Sequence, residues 1–228
     1  MKPEWKTFLT DNGAEFSSDN ENQVKSFGNP VRENRVTVSG DTLCDLSHLG
    51  LIQVYGDDAR AFLQGQTSND VNQVNDNHSQ LSAYCNPKGR MLASFRIFQR
   101  SETFYLVLPR ELLEDTMKRL RMFVMMSKVT LEDADDTLVR FGFSGPTASD
   151  ELESALGRKP PGNPNEVTQQ GGITLIRAAG DIPRFELYGE LDAMSSLWDK
   201  LNVRAAPVGA SSWRLLDILA GIPTLYLA

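Results

Sequence analysis

Residues 49–66 read LGLIQVYGDDARAFLQGQ, and this stretch decides the fold class. The seven mostly apolar residues at 49–55 predict a buried strand. Gly56-Asp57-Asp58 predicts a turn that also offers a helix N-cap. The apolar residues that follow at 59–66 recur at helical spacing, so the chain passes directly from a strand into a helix.

The rest of this half continues the alternation of strands and helices. A hairpin turn is predicted at Asn86-Pro87-Lys88-Gly89, because proline, glycine and asparagine dominate it. The apolar periodicity predicts three strands, one amphipathic helix and a closing strand, at 79–86, 90–98, 103–108, about 110–126 and 129–131.

The same pattern recurs in the second half, and even the strand-to-helix corners match as Gly56-x-x-Ala59 and Gly145-x-x-Ala148. Hairpins mixed with helices favour an α+β fold of two tandem ferredoxin-like β-α-β-β-α-β units. We expect an N-terminal arm at 1–42 and units at 43–135 and 136–228. The predicted elements of the second half are 137–143, a helix to about 156, 172–178, 184–189, 191–201, 203–206 and 211–220.

Composition excludes several classes of protein. The chain has 228 residues, a net charge of −7 and no block of Lys and Arg, which disfavours direct contact with nucleic acid. No apolar run approaches the roughly 20 residues of a membrane span. Cys44 and Cys85 are the only cysteines, so a disulfide scaffold is excluded and a reducing compartment, the cytoplasm, is expected.

Self-contained catalytic motifs are absent from the sequence. His48 and His78 have no second ligand at helical spacing, so no metal site is predicted. No P-loop, dinucleotide-binding glycine motif or nucleophile elbow occurs. This absence favours a binding module, or an enzyme that takes its chemistry from a ligand held between the two halves.

Several segments in order resemble the family of the glycine-cleavage T-protein, most closely its YgfZ-type branch of folate-binding proteins. The resemblance covers roughly residues 43 to 228. It implies two ferredoxin-like units that, with a third barrel-like domain, surround a folate pocket. The segments that carry it are DLSHLGLI at 45–52, FLQGQTSNDV at 62–71, NPKGRM at 86–91, SKV at 127–129 and WRLLDILAGIP at 213–223.

Two departures from the family pattern bear on activity. The position of the T-protein's acid/base aspartate falls on Thr116, and the neighbouring Asp115 lies about 100° away around a helix. The K-G-C-x-x-G-Q-E signature of the YgfZ-type branch is absent before the chain ends at Ala228. We therefore expect a truncated or short form that lacks the C-terminal barrel domain.

The resemblance also implies a set of folate-binding residues. Trp213 would stack on a ring of the ligand, Leu49 would pack on it, and the Glu186 carboxylate would accept hydrogen bonds from the pterin. The hairpin would contribute Tyr84, Asn86, Lys88 and Arg90. The alternatives are a core role for Trp213, a solvent-facing strand position for Glu186 and a simple turn at the hairpin.

The resulting hypothesis is a tetrahydrofolate-binding accessory protein that supports iron–sulfur cluster assembly or repair and tRNA modification. Its expected partners are the folate and iron–sulfur client or assembly proteins, with no direct nucleic acid, no membrane and no metal. The alternatives are a tetrahydrofolate-dependent aminomethyltransferase, which Thr116 disfavours, and a non-catalytic interaction module.

Overall fold

The computed structural model describes residues 1–227 and contains thirteen strands and seven α-helices within them. The strands are β1 Glu15–Phe16, β2 Val24–Ser26, β3 Thr42–Asp45, β4 Leu49–Tyr55, β5 Gln80–Cys85, β6 Met91–Arg100, β7 Thr103–Pro109, β8 Thr130–Asp133, β9 Val139–Ser144, β10 Val167–Gln170, β11 Ile173–Arg177, β12 Arg184–Gly189 and β13 Ala206–Val208. The helices are α1 Pro3–Asp11, α2 Pro30–Thr37, α3 Ala59–Gln66, α4 Leu113–Arg121, α5 Ala148–Leu156, α6 Leu191–Asn202 and α7 Ala210–Leu219. The predicted α+β class is confirmed.

The chain forms two compact units. One unit, called the six-stranded unit below, joins Met1–His48 to Asp136–Ile222. The other, the five-stranded unit, consists of Leu49–Asp135 and the described residues from Pro223 onward. No helix within residues 1–227 combines the length and the apolar character that crossing a membrane would require.

The five-stranded unit follows the predicted order of elements. Its antiparallel sheet runs β5-β6-β7-β4-β8, so β4 lies between β7 and β8 as in a ferredoxin-like sheet, with β5 added at the edge. Helices α3 and α4 cover one face through Phe62, Leu63, Leu113, Met117 and Leu120. The helix predicted to reach residue 126 ends at Arg121, because turns follow and Met125 has a left-handed backbone with φ of 38°.

The six-stranded sheet runs β10-β11-β12-β9-β3-β13. All of its pairs are antiparallel except β3 with β13. The predicted division placed residues 1–42 in an arm and 43–48 in the first unit. In the structure β3 instead pairs with β9, so Met1–His48 belong with the second half of the chain. The pairing partners are about a hundred positions apart, which local patterns do not report.

Alternation along the strands gives the six-stranded sheet two different faces. Phe141 and Phe143 of β9 point to a core formed with α1, α5 and α6. Trp198 of α6 meets the Phe141 ring edge-on at 5.3 Å and the Trp5 ring at 5.6 Å. Gly142, between the two phenylalanines, belongs to the opposite face, on which α7 packs. That opposite face carries most of the candidate site.

The two strand-to-helix corners are built alike. Gly56 and Gly145 have φ of 117° and 148°, in the region that favours glycine. A Cβ on Gly56 would collide with the carbonyl of Lys128, and one on Gly145 with Asp41. The correspondence of the corners that the sequence indicates is therefore present in the backbone.

Candidate functional site

A row of residues crosses the six-stranded sheet on the face opposite its apolar core. Glu186 of β12 pairs with Gly142 of β9, and Gly142 pairs with Cys44 of β3. Paired residues in neighbouring strands project to the same face of a sheet. Glu186 and Cys44 therefore flank a position that carries no side chain.

The indole of Trp213 occupies the space above that glycine. Trp213 lies in α7 and is only 3% exposed. A Cβ on Gly142 would come within 2.6 Å of the Trp213 ring atoms Cε3 and Cη2, so no larger residue fits there without movement. The absence of a side chain at Gly142 thus allows the ring to lie against the sheet.

Arg184 completes the polar side of this arrangement. It is two residues before Glu186 in β12, which places both side chains on the same face. The Arg184 guanidinium lies 5.2 Å from the centre of the Trp213 ring, within the range of a cation–π interaction. Although Arg184 is only 1% exposed, its Nη1 has no hydrogen-bond partner.

The other guanidinium nitrogens of Arg184 are partly engaged. Its Nε donates to the carbonyl of Ala179 over 2.6 Å. Its Nη2 lies 2.8 Å from Asp217 Oδ1 as an ion pair, but without the alignment of a hydrogen bond. A buried donor left without an acceptor costs about 1–3 kcal/mol, so an acceptor supplied by a ligand would be stabilising here.

A cavity of about 180 Å³ adjoins this arginine. It lies entirely in the six-stranded unit, between the β11–β12 connection and the C-terminal part of α7. Its walls are mostly apolar, and Arg184 and Asp181 are the charged residues among them. Drug-sized ligands occupy roughly 300–1,000 Å³, so this cavity suits one ring system. The lining residues are Gly180, Asp181, Ile182, Arg184, Leu216, Leu219 and Ala220.

Glu186 lies on the same strand and the same sheet face as Arg184. Its side chain is partly exposed, and its Oε2 accepts a hydrogen bond from the Tyr188 hydroxyl at 2.9 Å. The structure thus brings Trp213 and Glu186, both predicted from the sequence, to one face of one sheet.

The other predicted site residues lie in the five-stranded unit. Tyr84 is 8% exposed and packs in that unit's core. Asn86 Oδ1 accepts the backbone N–H groups of Lys88 and Arg90 at 2.9 and 3.0 Å, so this side chain builds the hairpin turn. Lys88 and Arg90 are exposed. Leu49 begins β4 and is half-buried.

The buried ionisable groups of the six-stranded unit do not provide a reactive nucleophile. Burial, and to a smaller extent Asp45, raises the pKa of the Cys44 thiol well above its ordinary value, which opposes thiolate formation. Burial, followed by the charge of Arg140, lowers the pKa of His48 to about 4. Within residues 1–227, no group of three His, Cys, Asp or Glu side chains could hold a metal ion.

Helix α4 carries Thr116, the position expected to match the acid/base aspartate of the T-protein, and its neighbour Asp115. Thr116 is 4% exposed, on the same buried side as Met117, whereas Asp115 is exposed. A shift of one residue therefore does not bring the Asp115 carboxylate to the place of Thr116.

The sequence pattern does not predict Arg184 or the adjoining cavity as part of the site. The period-two alternation of Arg184-Phe185-Glu186 already indicates that residues 184 and 186 share a face. The ion-pair partner Asp217 and the cavity depend on how α7 packs, which the sequence pattern alone does not reveal.

Fold and site together define a class: an α+β protein that presents a tryptophan, a carboxylate and a buried guanidinium on one face of a sheet, with a small, mostly apolar cavity beside the guanidinium. Comparison with known proteins identifies the family. The model of the GCVT N-terminal domain family matches residues 9–163, so the chain belongs to that family. The family resemblance drawn from the sequence motifs is confirmed.

Curated relatives carry the name "tRNA-modifying protein YgfZ". Those of Colwellia psychrerythraea and Shigella boydii are each 30% identical over 184 residues, 80% and 81% of this chain. The match spans 55% and 56% of their own lengths, so the chain spans about half the length of these relatives.

Among solved structures, the glycine cleavage system aminomethyltransferase T from Bartonella henselae shares the fold. Its TM-score is 0.79 at 22% identity, over 97% of this chain and 62% of that one.

Proposed function

We propose that this protein binds tetrahydrofolate and acts as an accessory protein in a pathway of tRNA modification. The observation that carries the proposal is Arg184: a buried guanidinium whose Nη1 has no hydrogen-bond partner, 5.2 Å from the centre of the Trp213 ring and beside a ring-sized cavity. Membership of the GCVT N-terminal domain family and similarity to the YgfZ proteins support it.

The donors and acceptors of the site suit a pterin. The Arg184 guanidinium would donate to the ring carbonyl oxygen, and the Glu186 carboxylate would accept from the ring N–H groups. The Trp213 indole would fix the guanidinium and offer its remaining edge to the ligand. The apolar cavity walls would exclude water from these hydrogen bonds and so strengthen them.

The remaining predicted residues stay part of the proposal. Lys88 and Arg90 are exposed cations of a kind that suits the carboxylates of a folate tail, and Asn86 holds their hairpin in shape. Tyr84 and Leu49 would contribute apolar contact. We further propose that the protein works in the cytoplasm and supports iron–sulfur proteins without itself holding a cluster.

Isothermal titration calorimetry with tetrahydrofolate tests the proposal. Glu186→Gln removes a charged acceptor, worth about 1.5–3 kcal/mol, and we expect binding roughly 10- to 100-fold weaker. Trp213→Phe keeps an aromatic ring and should weaken binding roughly two- to tenfold. Arg184→Lys keeps the charge but loses the planar fork, so it should also weaken binding.

Glu190→Gln provides the matched control, because Glu190 is exposed and lies four residues after Glu186. Its affinity should equal that of the unsubstituted protein. No heat of binding with a folded protein, or equal affinity for Glu186→Gln and Glu190→Gln, would contradict the proposed site.

Aminomethyl transfer is the second candidate, favoured by the fold shared with the Bartonella henselae enzyme. The buried Thr116 in α4 argues against it, because a threonine hydroxyl cannot serve as the carboxylate acid/base. We expect no turnover when the protein is assayed with an aminomethylated lipoyl carrier protein and tetrahydrofolate. Measured methylenetetrahydrofolate formation would reverse this order of preference.

A further inference from the structure

Residues 118–126, which end helix α4 and form the turns after it, expose an unusual run of apolar side chains. Met125 and Met126 are 86% and 97% exposed. Met122 and Phe123, just before them, are 61% and 50% exposed. Four large apolar side chains within five positions make a patch that isolated surface hydrophobes do not explain.

Three cations precede these apolar side chains in the sequence. Lys118 and Arg119 are exposed on α4 and make no ion pair within residues 1–227. Arg121 donates to the backbone carbonyl of Leu131 over 2.8 Å, a contact that leaves its charge uncompensated. Residues 118–126 contain no acidic residue, in a chain whose net charge is −7.

We infer that the 118–126 surface is a docking site for an acidic amphipathic segment of another protein. Methionine is flexible and polarizable, and surfaces rich in it adapt to apolar anchors of different shape. The flanking cations would pair with carboxylates beside those anchors and guide the encounter. This inference is independent of the folate proposal.

The same features argue against other occupants. Nucleic acids are bound by many cations on the phosphate backbone, and single strands also by aromatic side chains that stack on the bases. This surface has three cations and one aromatic ring, which disfavours a nucleic acid. A helix that lies in a membrane interface presents a continuous apolar face. Here the buried side of α4 is the apolar one, and the exposed methionines lie in turns beyond its end.

Fluorescence anisotropy with a labelled synthetic peptide tests the inference. The probe is an 18-residue peptide with leucines at helical spacing and Asp or Glu elsewhere. A scrambled peptide of the same composition, which has no apolar face, is its control. We expect binding of the amphipathic peptide at least tenfold tighter than of the scrambled one, with an affinity that falls as salt is added.

Two variants separate the apolar and the charged contributions. Met125→Ser with Met126→Ser should weaken binding at least tenfold. Lys118→Glu with Arg119→Glu should do the same, and added salt should then no longer weaken binding, because it screens repulsion instead of attraction. Both changes lie at exposed positions, and circular dichroism verifies that the protein remains folded.

Matched controls come from the six-stranded unit. Val31 and Val203 are 66% and 80% exposed, so Val31→Ser with Val203→Ser removes exposed apolar groups elsewhere. Arg158→Glu with Lys159→Glu reverses two other exposed charges. Both control variants should bind within twofold of the unsubstituted protein.

Other outcomes would overturn the inference. They are absence of peptide binding, equal loss in the control variants, or equal affinity for the scrambled peptide. Binding of phosphatidylglycerol vesicles or of a single-stranded RNA that depends on residues 118–126, with none of the peptide, would also refute an acidic protein segment as the occupant.

Discussion

Substitution of Glu33 tests how the N-terminal segment holds helix α7 in place. The Glu33 side chain is buried, with 6% exposed. Its Oε1 accepts the backbone N–H groups of Phe27 and Asn29 at 2.8 and 3.2 Å, and its Oε2 accepts that of Gly209 at 2.9 Å. Gly209 is the N-cap of α7, the helix that carries Trp213.

Glu33→Gln is nearly isosteric, so its cost isolates the hydrogen bonds. The amide oxygen can keep the two bonds of Oε1, but the amide NH₂ then faces the N–H of Gly209, and two donors meet. A hydrogen bond to a charged group is worth about 1.5–3 kcal/mol. We therefore expect the unfolding free energy to fall by about 2–3 kcal/mol for Glu33→Gln. Glu33→Ala, which leaves three donors unpaired, should cost roughly 4 kcal/mol or more.

Tryptophan fluorescence in urea measures this effect selectively. All three tryptophans of the chain, Trp5, Trp198 and Trp213, belong to the six-stranded unit, so their emission follows the unfolding of that unit. Glu190→Gln is the control, because Glu190 is exposed and its side chain makes no cap hydrogen bond. An unfolding free energy for Glu33→Gln within about 0.5 kcal/mol of that of the control would refute the reasoning.

Two further changes test the packing and the electrostatics of the same unit. Gly142→Ala inserts a methyl group against the Trp213 ring. We expect the unfolding free energy in urea to fall by about 1–3 kcal/mol and calorimetry to show weaker folate binding. An unchanged urea midpoint would contradict this packing. His48 as a whole is half-buried, but its Nδ1 is shielded from water and its pKa in the folded protein is about 4, below the ordinary 6.5. The unfolded chain therefore binds a proton that the folded protein does not, so the unfolding free energy should fall by up to about 2 kcal/mol from pH 7 to pH 5. His48→Gln should lack this loss, and an equal pH dependence in both proteins would count against it.

Much of the fold follows from local patterns. The strand at 49–55, its glycine corner and helix α3 occur where the residues predict them, because each depends on side chains that are neighbours in sequence. The end of α4 does not follow from local patterns. Val124 continues the helical spacing of apolar residues, yet the helix ends at Arg121 and Met125 adopts a left-handed backbone. Apolar spacing alone cannot distinguish a partly buried turn from one more helical turn.

The placement of β3 is a different kind of failure, because it depends on pairing between distant strands. Residues 42–45 read TLCD, which suits a strand in either half of the chain. Their pairing with β9 aligns Cys44 with Gly142, a choice made by packing across the whole unit. The alternation of a strand's own residues fixes which side faces the core, but not which distant strand becomes its neighbour.

The candidate site depends both on local sequence patterns and on packing between distant segments, as Gly142 illustrates. The sequence Phe141-Gly142-Phe143 indicates that two rings point to one face and that the other face is bare at the middle position. What covers the bare position depends on α7, whose start is held by Glu33 from the N-terminal segment. The Trp213 ring therefore owes its position to residues 1–48 as much as to its own helix. The N-terminal segment, which the sequence predicts as an arm, thus supports the face on which the proposed folate site is built.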